Sequence, residues 1–146
     1  RRNLHNTFMK LFEYGAIPVV NENDSVAVEE IVFGDNDSLS AHVAKLVEAD
    51  ALIILTDIDG LFSANPREDE SARLISSVDR ITDEILALAG GSGTSRGTGG
   101  MVTKLHGGEI ATSAGIDTVV MNGSDPEDIY KLLDGRQIGT HFKAQR

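Results

Sequence analysis

The sequence predicts an α/β domain in which a mostly parallel sheet is covered by helices. Three observations carry that reading. Apolar spacing switches repeatedly between a helical and a strand period along the chain. The run Ala51-Leu52-Ile53-Ile54-Leu55 is continuously apolar and bounded by turn residues, as a strand buried on both faces would be. Polar or glycine-rich turns follow the candidate strands, where open α/β sheets bind ligands.

Taken in order, Leu4, Phe8, Leu11 and Phe12 fall at i, i+4, i+7 and i+8, which predicts a helix closed by Gly15. Ile17–Val20 reads as a short strand with Pro18 near its start, running into the polar turn Asn21-Glu22-Asn23-Asp24. Val26–Val28 and Ile31–Phe33 suggest a small hairpin ending at Gly34-Asp35-Asn36-Asp37. Leu39–Glu48 is expected as a helix with Ser38 or Asp37 as its N-cap. After the strand Ala51–Leu55 come the turn Thr56–Gly60, a charged loop from Asn65 to Arg73 and a short helix, Thr82–Ala89. Helix resumes over Met101–Ala114, strand over Thr118–Met121, and helix over Pro126–Leu133, with proline in its first turn.

The 146 residues fit one domain, long enough to form a core without staples. The chain contains no cysteine, which excludes a disulfide framework, a thiolate nucleophile and a Cys-ligated metal. Acidic residues number 23 against 13 basic, a net charge of −10 that would repel a nucleic-acid backbone. No apolar run approaches the ~18 residues of a membrane span. Neither a nucleic-acid nor a membrane partner is expected, and a reducing, cytoplasmic setting is. The chain opens inside a helix without an initiator Met, which suggests part of a longer protein.

Residues 90–100 hold six glycines, and Gly97-Thr98-Gly99-Gly100-Met101-Val102-Thr103-Lys104 leads from that loop into a helix. Unshielded amides at a helix N-terminus suit a phosphate, and Lys104 lies one turn in. The string is neither a Walker A motif nor a dinucleotide fingerprint, so spacing leaves open a flexible linker entering an ordinary helix. Asp35-Asn36-Asp37 fails the calcium-loop pattern at Ser40 and Leu46, and reads as a helix-capping cluster or a ligand site. Asn21–Asp24 is equally an Asx turn or a clamp for a zwitterion, and Thr56-Asp57 a loop or a nucleotide contact. His5, His42, His106 and His141 show no metal-ligand spacing and read as surface or packing residues.

Together, Ile17–Asp24, Gly34–Ala41, Leu55–Phe62 and Gly97–Lys104 resemble the glutamate 5-kinase family of the amino-acid kinase superfamily, with the four motifs in that family's order. The resemblance implies a three-layer αβα sandwich of the carbamate-kinase-like type, incomplete at its N-terminus. It makes residues 1–146 the larger, C-terminal part of one kinase domain, without the RNA-modification-type (PUA) domain many members carry. It implies ATP and Mg²⁺, L-glutamate as phosphoryl acceptor in the first step of proline biosynthesis, proline as feedback inhibitor, and a homo-oligomer, dimer or tetramer. No metal-ligating side chain is assigned.

Residue by residue, the resemblance makes Lys104 a catalytic lysine and Asp37 the carboxylate that orients it. Asn21, Asp24, Asp35 and Asn36 become glutamate-binding residues. Thr56, Asp57 and Gly97, Thr98, Gly99, Gly100, Met101, Val102, Thr103 and Lys104 become the nucleotide site. Family members begin with a strand and a glycine loop bearing a second lysine, followed by a serine that helps hold glutamate. Without them, the 146-residue chain alone is expected to be nearly inactive. The competing readings are a sister kinase acting on aspartate, N-acetylglutamate, carbamate or uridylate, and a non-catalytic module sensing proline or glutamate.

Overall fold

The structure is a computed structural model that describes residues 2–21, 35–90 and 99–146. Its elements, in chain order, are α1 (Arg2–Glu13), α2 (Asn36–Leu46), β1 (Ala51–Thr56), β2 (Ser77–Val78), α3 (Asp83–Gly90), α4 (Gly99–Ser113), β3 (Asp117–Asn122), α5 (Asp128–Leu133) and β4 (Thr140–Phe142). The four described strands form one sheet in the order β1-β3-β4-β2. β1 runs parallel to β3 and β2 parallel to β4, while β3 and β4 are antiparallel. The sheet is therefore mixed, with two of its three pairings parallel. The antiparallel pairing is made by β4, an interior strand between β3 and β2 that the sequence pattern did not reveal.

β1 and β3 pair in full register from Ala51↔Asp117 to Thr56↔Asn122, so their carboxyl ends finish level. β3 is buried at its four central positions. β1 departs from expectation: Ile54 is buried but Leu55 is exposed, so only part of the run is covered on both faces. The main core joins Ile54, Val120 and Phe142 of the sheet to Ala89, Met101 and Leu105 of α3 and α4.

A second cluster holds α2 to α4 through small residues, Ala41 and Ala44 against Ala111, with Ile116 beside them. Asp37, Ala41 and Ala44 recur at i, i+4 and i+7 on α2, and Lys104, Gly107 and Ala111 at i, i+3 and i+7 on α4. Each set lies along one helix face. The backbones come so close that a Cβ at Gly107 would sit 2.9 Å from the Asp37 carbonyl oxygen. Only glycine fits that crossing without one helix moving.

Three sequence expectations need correction here. Ile17–Val20 is not a strand: it pairs with nothing among the described residues, and Ile17 and Val19 are 89% and 92% exposed. β-branched residues favour extended backbone, but a strand requires a ladder to join. Helix α2 is capped by Asp35 rather than Asp37 or Ser38. Asp35 has extended backbone, and its carboxylate accepts the Ser38 amide at 2.6 Å and the Ser38 hydroxyl at 3.1 Å. Asp37 already lies inside the first turn, where its side chain is free to face α4. Finally, α5 starts at Asp128, not Pro126. The expected hairpin over Val26–Val28 and Ile31–Phe33 lies outside the described residues.

Candidate functional site

Two polar turns meet at the carboxyl ends of β1 and β3. The Gly123 amide donates to the Thr56 carbonyl at 2.9 Å, and the Asn122 amide nitrogen donates to an Asp59 carboxylate oxygen at 3.2 Å. The Thr56 hydroxyl lies 3.3 Å from the Asp57 carboxylate. This ties the turn Thr56–Gly60, with the expected nucleotide contacts Thr56 and Asp57, to the end of β3.

Beside it opens a cleft of about 500 Å³ whose lining includes Thr56, Asp57, Gly100, Met101 and Lys104. Residues from two separate sequence motifs thus share one cavity. Its far wall is the excursion from Leu61 to Ile75, closed by paired backbone bonds from Ile75 to Leu61 and from Ser63 to Arg73. Thr140 pins the base of that excursion. Its buried hydroxyl accepts the Leu61 amide at 2.9 Å and donates to the Ile75 carbonyl at 2.6 Å. Gly60, at φ +152°, passes so near that a Cβ would stand 2.7 Å from that oxygen. Sequence reasoning did not single out Thr140, because its partners are 79 and 65 positions away.

The α2–α4 crossing brings Lys104, which lines the cleft, to Asp37, which lies behind that lining. The Lys104 ammonium is 3.2 Å from Asp37 Oδ2, with side chains 16% and 20% exposed. Both side chains are thus mostly buried, and Lys104 lines the cleft, where its cation can meet an incoming anion. Thr103 turns its hydroxyl to the same oxygen, at 2.9 Å. It does not lie in the cleft lining.

The remaining expected site residues divide. Met101 contributes to the cleft and to the core, and the Val102 side chain packs against the core. Gly99 opens α4. Asp35 spends both carboxylate oxygens on the α2 cap, while Asn36 beside it is exposed. Asn21 is exposed at the end of the extended segment, with no hydrogen bond to Asp35 or Asn36 among the described residues. Asp24, Gly97 and Thr98 lie outside the described residues. Among the described residues no cluster of three or more His, Cys, Asp or Glu side chains could hold a metal. No helix there is long and apolar enough to cross a membrane.

The chain is 51% identical to a glutamate 5-kinase of Clostridium perfringens, an alignment covering 100% of this chain and 56% of that protein. It is 54% identical to a glutamate 5-kinase of Carboxydothermus hydrogenoformans, covering 99% of this chain and 38% of that protein. The chain therefore spans about half or less of the length of these curated relatives. Among solved structures, a UMP kinase from Bacillus anthracis superposes with a TM-score of 0.69 at 15% identity, over 97% of this chain and 52% of that one. An isopentenyl phosphate kinase from T. acidophilum superposes with a TM-score of 0.62 at 21% identity, over 95% of this chain and 53% of that one. At such identities the likeness is one of fold. Residues 1–122 match the amino acid kinase family itself, and with the cleft, the lysine-bearing helix and the level strand ends in place, the chain belongs to that family.

Proposed function

We propose that the protein of which this chain forms part transfers the γ-phosphoryl group of ATP to the γ-carboxylate of L-glutamate. The observation that carries the reading is the Asp37–Lys104 pair, held at 3.2 Å, whose lysine lines a cleft together with Thr56, Asp57, Gly100 and Met101. Two relatives at about half identity bear the name glutamate 5-kinase, which supplies the acceptor.

The chemistry suits these residue types. A γ-carboxylate has a pKa near ~4.3, so at neutral pH it is already ionised and needs no general base. The difficulty is bringing one anion in line with another. Catalysis then consists of positioning and charge neutralisation. Lys104 lies along the transferring phosphoryl group, and Asp37 holds its ammonium in one direction. The carboxylate oxygen attacks the γ-phosphorus, the bond to the β-bridging oxygen breaks, and ADP leaves with that electron pair. Thr56 and Asp57 contact the nucleoside, while the segment Gly97–Lys104 belongs to the nucleotide site at the phosphates. Asn21, Asp24, Asp35 and Asn36 hold the amino acid's charged ends. Mg²⁺ supplies further charge neutralisation when bound.

In this reading residues 1–146 are the larger C-terminal part of one kinase domain. The whole protein works as a homo-oligomer in the cytoplasm, in proline biosynthesis, with proline as feedback inhibitor. The test is an acceptor panel with the full-length protein: glutamate, aspartate, N-acetylglutamate, carbamate and UMP, each with ATP. Acyl phosphates are trapped as hydroxamates, and ADP release is followed for every acceptor. Glutamate-dependent turnover well above the others is expected. Turnover with another acceptor alone would replace the substrate. Proline binding without nucleotide binding or turnover would leave a sensor in its place.

A further inference from the structure

We propose that Thr103 is a positioning residue for phosphoryl transfer, acting through Asp37 and Lys104 and not as a nucleotide ligand. The proposal rests on the kinase reading above and assigns a role within that site.

The Thr103 hydroxyl has one proton and two acceptors in reach, Asp37 Oδ2 at 2.9 Å and the Gly100 carbonyl at 2.8 Å. A threonine inside a helix ordinarily returns its proton to the carbonyl one turn back. Here a carboxylate competes, and a hydrogen bond to an ionised acceptor is roughly twice as strong as a neutral one. Asp37 Oδ2 also takes the Lys104 ammonium at 3.2 Å. One carboxylate oxygen thus receives two donors from consecutive residues of α4.

That double occupancy has a mechanical consequence. The terminal torsion of an aspartate is broad, so a carboxylate held by a single flexible lysine can swing with it. A second donor from a short side chain with stiff χ1 removes that freedom. The backbone under Asp37 is fixed independently, by the Asp35 cap and by the close approach of Gly107. With hydroxyl and backbone both fixed, the lysine is the only mobile member of the trio, and its ammonium is confined to one approach. Thr103 also links this trio to the first turn of α4, because Gly100 lines the cleft and its carbonyl shares the same hydroxyl. A phosphate settling on the amides at the start of α4 would therefore be in register with the cation.

The test compares Thr103→Val, which keeps the shape and loses the hydroxyl, with Thr103→Ser, which keeps the hydroxyl, both in the full-length protein. Thr103→Ala repeats the deletion without adding a methyl group, and a urea midpoint confirms that each variant folds. Removing a hydrogen bond that acts on a charged partner in the transition state should lower kcat about tenfold or more in the Val and Ala variants. KM for ATP and for glutamate should stay within about twofold, and the Ser variant should recover kcat to within about threefold. Unchanged kcat in the folded Val and Ala variants would overturn the proposal. So would a rise in KM for ATP at constant kcat, which is the behaviour of a ligand, or a Ser variant as slow as Val, which is the behaviour of packing. If the unaltered protein phosphorylates a different acceptor, glutamate falls as substrate while the same kcat-against-KM comparison on that acceptor still decides the role of Thr103.

Discussion

The N-terminal helix carries a far more regular apolar stripe than α2 or α4, yet it is the α2–α4 crossing that is buried and the stretch through Val20 that is left largely exposed. On α2 and α4 the small residues Ala41, Ala44 and Ala111 are buried, and their backbones approach until only glycine fits at position 107. On α1 the expected stripe divides: Phe8 is buried, while Leu4 and Phe12 remain 44% and 46% exposed. Beyond it Ile17 and Val19 are almost fully exposed. Periodicity states which face of an element favours burial. It does not supply the partner. The crossing has its partner within the described residues, and the distances at the candidate site depend on it.

The largest effect should come from forcing that crossing apart. Gly107→Val places a branched side chain where a backbone carbonyl stands 2.9 Å from the Cβ position, so the helices must separate. We expect a loss of about 3 kcal/mol in stability, measured by urea unfolding, together with a fall in kcat. A variant as stable and active as the parent would show that the close approach is dispensable.

Next is Thr140→Val, which removes both bonds to the cleft's far wall and strands the Leu61 amide and Ile75 carbonyl. Each buried group left unpaired costs about 1–3 kcal/mol, so roughly 2 kcal/mol is expected after relaxation, with weaker ATP binding by calorimetry.

A smaller and pH-dependent effect is expected at Asp117. The Ala144 amide donates to its carboxylate at 2.8 Å, and His141 and Arg146 lie beside it, holding its pKa below the ordinary carboxylate value. A lowered folded pKa gives stability that is fully present above the unfolded value and is lost as pH falls through the folded one. Asp117→Asn should therefore lower the urea midpoint near pH 7, by a margin that shrinks as pH drops below about 4. A margin constant across that range would contradict the charge argument. The smallest change belongs to the exposed stretch: Ile17→Ser should stay within about 0.5 kcal/mol of the parent in this 146-residue chain. A larger loss would mean that the segment is packed after all.

Elements of six or more residues bounded by turn or glycine signals were largely legible in the sequence, and the shortest strands were not. α4, β1 and β3 fall where apolar runs and turn residues placed them, to within two residues. β2 and β4, at two and three residues, carry no period of their own, and pairing across the sheet defines them. The cap of α2 was misassigned because Asp35, Asn36, Asp37 and Ser38 are all capping types, and only backbone geometry selects among them. At the site, motif resemblance linked Asp37 to Lys104 across 67 positions, a pairing that spacing could not supply. Thr103 was grouped with the nucleotide segment because its neighbours are. Its hydroxyl also reaches Asp37, across a helix crossing that no local pattern encodes.

In the proposed reaction Asp37 acts through Lys104. A double-mutant cycle of Asp37→Ala and Lys104→Ala in the full-length protein, read as kcat with glutamate and ATP, tests this directly. Each single change should lower kcat by orders of magnitude, and the double variant should be no worse than the slower single. Single variants within a factor of a few of the parent, or losses that simply multiply in the double, would contradict it.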